Sequence, residues 1–139
     1  MVWLQETINL DPKSEGMYLI DNEIKHKFPQ IRNVKVGLLH LFIKHTSAGL
    51  CINENYDPDV RTDMMGAVDR MFPVSDVYLH QDEGPDDMPS HLKSVFVGNS
   101  VTIPIKNGQF NVGTWQGVYL CEFRKARHSR RVVATLNGE

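Results

Sequence analysis

Three histidines, one acidic run and one pair of arginines are the residues in this 139-residue chain with the most chemistry to offer. His45, His80 and His91 each fall beside polar neighbours where a predicted strand gives way to a loop. Three imidazoles from separate segments can build the open tripod that leaves a fourth position on Zn²⁺ for water or substrate. No short ligand spacing joins them, so the expectation rests on their settings alone. The other three histidines read differently: His26 and His128 as solvated, His40 as a hydrogen-bonded residue inside an apolar strand. The run Asp82-Glu83-Gly84-Pro85-Asp86-Asp87-Met88-Pro89-Ser90-His91 sets four carboxylates and an imidazole within ten residues. Such a run suits a hard cation such as Mg²⁺, or a general acid/base pair. Its two prolines restrict the loop, so its groups lose less entropy on being held.

Smaller groups add hydrogen bonds and charge. Thr46 and Ser47 follow His45 directly, without the glycines of a nucleophile elbow. They read as hydrogen-bond partners for an anion or substrate, or equally as hydroxyls closing a strand end. Gly113-Thr114-Trp115-Gln116-Gly117 brackets an indole and an amide with glycines. Glycine lets backbone approach a ligand closely, and Trp115 can wall an aromatic ring; a bulged strand entry with a core Trp is the alternative. Arg130-Arg131 can present a forked phosphate contact, or lie on the surface as a pair. Charge is also segregated along the chain. Residues 54–87 hold ten acids against Arg61 and Arg70, whereas residues 122–131 hold five bases against Glu122. The two regions either attract each other across the fold or form a cation-binding half and an anion-binding half.

The elements that must position these groups are short. Residues 3–8 alternate as a strand. Met17, Ile20, Ile24 and Phe28 recur at three- and four-residue steps, which predicts one helical stripe ending at Pro29. Residues 34–43 read as a central strand and 50–53 as a short one. Asp57-Pro58 predicts a capped helix start, with Val60, Met64, Val68 and Met71 or Phe72 inward. Residues 78–90 are predicted loop and 91–97 a short helix. Strands at 101–105, 109–112, 118–123 and 131–136 complete the chain, with a turn at Asn107-Gly108. Two or three helices among antiparallel strands give an α+β single domain over residues 1–139.

Composition excludes several classes. The chain is 41% apolar and 23% charged with a formal net charge of −2, which argues against a polybasic nucleic-acid or membrane binder. No apolar stretch is long enough to span a bilayer, and residues 1–6 read as structure, not as a targeting leader. Cys51 and Cys121 show no CxxC spacing, so a reducing, cytoplasmic setting is expected.

Taken together, His-Thr-Ser-Ala at 45–48, Asn-Glu-Asn at 53–55, Asp57-Pro58, Arg61-Thr62-Asp63, the whole 82–91 run, Gly-Thr-Trp-Gln-Gly at 113–117, Glu122 and Arg130-Arg131 resemble the YjbQ family. That family is also called UPF0047 or the secondary thiamine-phosphate synthase family. Cys51 stands where the family pattern leads one to expect a hydroxyl residue. The resemblance implies an α+β sandwich, assembled as a homotrimer, with the signature residues in one pocket. It implies a weak thiamine-phosphate synthase activity, in which a hydroxymethylpyrimidine diphosphate joins a thiazole phosphate and pyrophosphate leaves. On that reading His45, Asp86, Asp87, His91 and Arg130 are catalytic, and His45, His80 and His91 hold a divalent metal. Thr46, Ser47, Asn53, Trp115, Gln116, Glu122 and Arg131 then contact a small phosphorylated substrate. Imidazole favours Zn²⁺ over Mg²⁺, although a diphosphate can bring its own Mg²⁺. The alternatives are a metal-dependent hydrolase and a non-catalytic metabolite-binding trimer.

Overall fold

Alternation decides which way each strand faces. The computed structural model describes residues 1–139, and in its β3 strand (Val36–Ile43) Leu39, Leu41 and Ile43 are buried while Val36, Leu38 and Phe42 are exposed. The same period runs through β5 (Ser100–Lys106) and β8 (Arg131–Gly138), whereas the edge strand β1 (Val2–Asn9) buries only Ile8. With the two-residue β6 (Gln109–Phe110), these strands form a five-stranded antiparallel sheet in the order β1-β8-β3-β5-β6. Asn107 and Gly108 both adopt positive φ, 50° and 72°, as the tight turn between β5 and β6 requires.

A second sheet has the order β2-β7-β4, from β2 (Gly16–Leu19), β7 (Gln116–Glu122) and β4 (Ala48–Glu54). Its inner face, with Ala48, Leu50, Val118 and Leu120, packs on the large sheet to make the main core. Helix α1 (Asp21–Lys27) adds Ile24, and Phe28 follows from its end. The outer face of the small sheet, with Tyr119 and Cys121, packs against Val68 of α2 (Pro58–Met71) and Val97 of α3 (Asp87–Val97). The fold is therefore α+β: a two-sheet sandwich with helices over its smaller sheet. The outer face of the large sheet has no such cover, and no helix is long and apolar enough to cross a membrane.

Several elements differ from expectation. The stripe from Met17 to Phe28 is not one helix, because residues 16–19 hydrogen-bond to β7 as a strand and only residues 21–27 coil. Met17 thereby moves to the helical side of the small sheet, next to Cys121. Helix α2 begins where Asp57-Pro58 predicts, with the Asp59 amide donating to Asp57 Oδ1 at 2.9 Å. Its buried stripe is rotated, however: Met65 and Val68 pack inward while Met64 and Met71 are exposed. His40 lies on the bare outer face and meets Thr102 Oγ1 at 3.1 Å, so it is no core residue.

The contrast along β3 supplies a test. Leu41→Ala removes a fully buried side chain and should cost about 2–5 kcal/mol in urea unfolding, whereas Leu38→Ala should leave m and the unfolding free energy of the isolated chain nearly unchanged. Equal losses at both positions would contradict the facing assigned here.

Candidate functional site

Helix α3 starts at Asp87, four residues before the predicted start, because a proline in the first helical turn loses no intrahelical hydrogen bond. Pro89 is thus inside the helix, and Asp87 and His91 stand one turn apart on one face. Asp87 is almost fully buried. Its Oδ2 lies 2.7 Å from His80 Nε2 and 2.9 Å from His91 Nε2. Its Oδ1 accepts from Arg124 Nη1 at 2.6 Å. Glu83 joins the group, and one ligand atom from each of His80, Glu83, Asp87 and His91 lies within 4.8 Å of every other.

The hydrogen-bond directions carry information. His91 Nδ1 donates to the Thr46 carbonyl at 2.7 Å, so in the neutral ring Nε2 is a bare lone pair. That lone pair faces a carboxylate oxygen. The contact is favourable only if the ring is an imidazolium or a cation is shared between the two atoms. A ligating histidine characteristically spends its other nitrogen on a backbone carbonyl, as His91 does. Two imidazoles with one or two carboxylates are also the donor set of catalytic zinc sites. The residues present therefore fit a divalent metal.

Arg124 closes the site from behind. Its Nε donates to Asp86 Oδ2 at 3.1 Å, its Nη2 to the Glu83 carbonyl at 2.9 Å, and the Lys125 amide also donates to Asp86 at 3.0 Å. Burial pushes the Asp86 carboxyl up, but the Lys125 amide and the Arg124 guanidinium outweigh it and hold it below the usual carboxylate value. Burial likewise raises Asp87, and the His80 hydrogen bond with the charges of His91 and Arg124 more than offsets it. The acidic run and the basic turn thus clasp each other. Arg124 is a residue the sequence reading did not single out, and its only sequence signal was membership of the basic turn.

His45 stands apart from this cluster, so the expected tripod is not formed by its three rings. Its Nε2 accepts from the Arg131 amide at 2.8 Å, which leaves its N–H on Nδ1. Burial and the charges of Arg130 and Arg131 lower its pKa from the ordinary 6.5, so the ring is neutral at neutral pH. His45 and His91 nevertheless line one open cleft of about 970 Å³, with Lys44, Thr46, Ser94 and Asn99.

Arg130 is not a free phosphate fork. It is buried, with Nε and Nη2 each 2.6 Å from the two oxygens of the fully buried Glu122. Nη2 also donates to Ser47 Oγ at 2.8 Å. Glu122 and Ser47 are therefore both held by Arg130, and Arg131 enters this region through its backbone amide. Asn53, Trp115 and Gln116 lie at the other end of the β4–β7 ribbon, where Asn53 pairs with Gly117 while Ala48 pairs with Glu122. Five strand residues separate the two ends, roughly 17 Å at about 3.3–3.4 Å each. There Gln116 Oε1 accepts from the Gly113 amide at 2.8 Å, and the exposed Trp115 meets Tyr56 edge to face. One chain consequently splits the signature residues between two places.

A two-sheet α+β protein with a histidine–carboxylate cluster at the start of a helix is the class that this fold and site define. The sequence model described as "UPF0047 protein YjbQ-like" matches residues 6–139, and the chain belongs to that family. The UPF0047 protein YjbQ of Escherichia coli O157:H7 is 46% identical over 138 residues, covering 99% of this chain and all of that protein. Among solved structures, a YjbQ/UPF0047 family protein from Clostridium acetobutylicum superposes with a TM-score of 0.78 at 31% identity, over 96% of this chain and 99% of that one. A YbjQ-like protein of unknown function from Sulfolobus solfataricus shares the fold at a TM-score of 0.82 and 19% identity, over 99% of this chain and all of that one.

The burial of Arg130 changes what its removal should do. Arg130→Ala leaves the Glu122 carboxylate buried and unpaired and should destabilise the fold by about 3–5 kcal/mol, while Arg131→Ala stays within about 0.5 kcal/mol. Denaturant unfolding of the two variants decides it; a nearly neutral Arg130→Ala would return that residue to ligand binding.

Proposed function

We propose that the protein is a divalent-cation-dependent enzyme acting on a phosphorylated small molecule, by joining a hydroxymethylpyrimidine diphosphate to a thiazole phosphate with loss of pyrophosphate. The observation that carries the reading is the convergence of two imidazole nitrogens on one carboxylate oxygen, at 2.7 and 2.9 Å, with the far side of His91 already committed to Thr46. His80, Asp87 and His91, with Glu83, would hold the ion, Zn²⁺ by the softness of imidazole or Mg²⁺ with a diphosphate. When bound, the ion supplies positive charge against the leaving pyrophosphate. His45, neutral and with its proton on Nδ1, is one hydrogen-bond donor lining the same cleft.

One observation favours a second reading. The His80 and Glu83 side chains are 45% and 65% exposed, so water reaches the cluster freely in a single chain. Water access suits a metal-dependent hydrolase of phosphoesters, whereas transfer to a thiazole needs water kept out. A reducing, cytoplasmic setting is supported by the free thiols of Cys51 and Cys121.

Purified protein incubated with both substrates should release pyrophosphate together with the coupled product. A chelator should stop it, added Zn²⁺ or Mg²⁺ restore it, and His91→Ala and Asp87→Asn abolish it. Free phosphate or a cleaved ester, without coupling, would replace the transferase reading with the hydrolase. Ligand binding without turnover at any metal would leave the non-catalytic metabolite-binding reading.

We infer also that the chain assembles as a homotrimer. In support, the uncovered face of the large sheet exposes Trp3 and Val36 at 70% each and Leu38 at 51%, apolar side chains on one face that contact with another chain would cover. Light scattering should return three times the chain mass of 15.9 kDa, and a monomer at all concentrations would refute the assembly.

A further inference from the structure

The helical side of the small sheet carries an unusual concentration of sulfur. Cys51 on β4 and Cys121 on β7 stand diagonally across the ribbon, since Cys121 pairs with Gly49 and Cys51 with Tyr119. Both thiols are free, and their Sγ atoms lie 3.7 Å apart. Met17 of β2 and Met64 and Met65 of α2 line the same cavity of about 230 Å³. Two cysteines and three methionines thus line one cavity, and every other lining residue has a hydrocarbon side chain.

We propose that this cavity binds one soft monovalent cation of the copper(I) class, held by the sulfurs of Cys51 and Cys121 with methionine thioether support. Thiolate and thioether ligands select such ions over hard divalent cations. The cavity offers no carboxylate, imidazole or amine to a harder ion. The spacing fits as well. With metal–sulfur bonds of about 2.3 Å, two sulfurs on one trigonal or tetrahedral ion stand about 3.8–4.0 Å apart, so the observed separation needs almost no movement of the strands.

Charge points the same way. One monovalent ion and one thiolate sum to zero, which an apolar cavity tolerates far better than a net charge. Binding forms a metal–sulfur bond at Cys51 and releases the Cys51 proton to solvent, while Cys121 keeps its proton and offers a neutral sulfur lone pair, with no change of oxidation state. Met64 is 38% exposed at the rim and leaves the ion a way in.

The test titrates reduced protein with Cu(I), supplied anaerobically as its acetonitrile complex against bicinchoninate as competitor. One equivalent per chain should be retained, with a near-ultraviolet thiolate-to-copper absorption. Cys51→Ser should lose that absorption. Met65→Leu, which conserves volume and should keep the unfolding midpoint, should weaken binding about tenfold or more. The double variant His80→Ala/His91→Ala should bind as well as the parent, because its cluster is separate. Failure of the reduced parent to hold copper against the competitor would overturn the proposal. So would unchanged absorption in Cys51→Ser, or loss of binding in the double histidine variant.

Discussion

A carboxylate taken out of water costs several kcal/mol unless opposite charge and hydrogen bonds meet it, and Asp87 is buried to 2% side-chain exposure. The local structure around it follows from that constraint. Arg124 takes one oxygen and the two histidines approach the other. The same guanidinium grips Asp86 and the Glu83 carbonyl, so the acidic loop is wound around a single cation. The Arg124 amide in turn donates to Glu122 Oε2 at 3.1 Å. Glu122 is the second buried carboxylate, and Arg130 ties it to Ser47, the residue next to the Thr46 carbonyl that orients His91. Two carboxylates and two arginines therefore fix three segments distant in sequence: residues 45–47, the acidic loop, and the connection from β7 to β8.

This arrangement also shapes the electrostatics a cation would meet. Arg124 already neutralises much of the Asp87 charge, and the imidazoles bring none when neutral. The remaining negative charge near the histidines is Glu83, which is well exposed and 3.7 Å from His80. An ion held here would owe its position to Asp87 and His91, which are rigid on α3, and part of its charge balance to a residue on the loop. Position and charge are supplied by different elements, so changes in the loop would alter affinity more than geometry.

What the sequence made legible was local. The strand at residues 3–8, the Asp57-Pro58 helix start and the Asn107-Gly108 turn depend on neighbours within a few residues, and they stand as read, although the alternation expected at 3–8 does not appear in burial, where only Ile8 faces inward. The acidic run was recognisable by composition. What stayed hidden depended on one wrong boundary or on distant partners. Reading the proline- and acid-rich residues 78–90 as loop placed the start of α3 at His91 and concealed the one-turn relation of Asp87 to His91. The hydroxyl of Ser47 and the carboxylate of Glu122 looked available, because the guanidinium that occupies both comes from Arg130, 83 residues after the serine. His45 looked like a ligand for the same reason: its acceptor nitrogen is filled by the Arg131 amide, at the adjoining ends of β3 and β8, a pairing that no local pattern reveals.

The split of the signature residues along the β4–β7 ribbon has a chemical consequence for the transferase reading. In a hydroxymethylpyrimidine diphosphate, one methylene joins the ring to its phosphates. A ligand anchored by those phosphates at His80, Asp87 and His91 therefore cannot lay its ring on Trp115 of the same chain, roughly 17 Å away along the strands at about 3.3–3.4 Å per residue. Either another side chain walls the ring, or the Trp115 that does so comes from a neighbouring copy. Trp115 is 60% exposed and packs edge to face on the still more exposed Tyr56, an aromatic pair left open at the end of the sandwich. The cluster is likewise open to water on its His80 and Glu83 side. Two incomplete halves, one lacking an aromatic wall and one lacking a ligand, are what a ring of identical chains can join. A neighbouring copy laid over the cluster would also exclude the water that a transfer reaction must avoid. On this reasoning the trimer and the transferase stand together, whereas a monomer with the same cluster would be suited to hydrolysis.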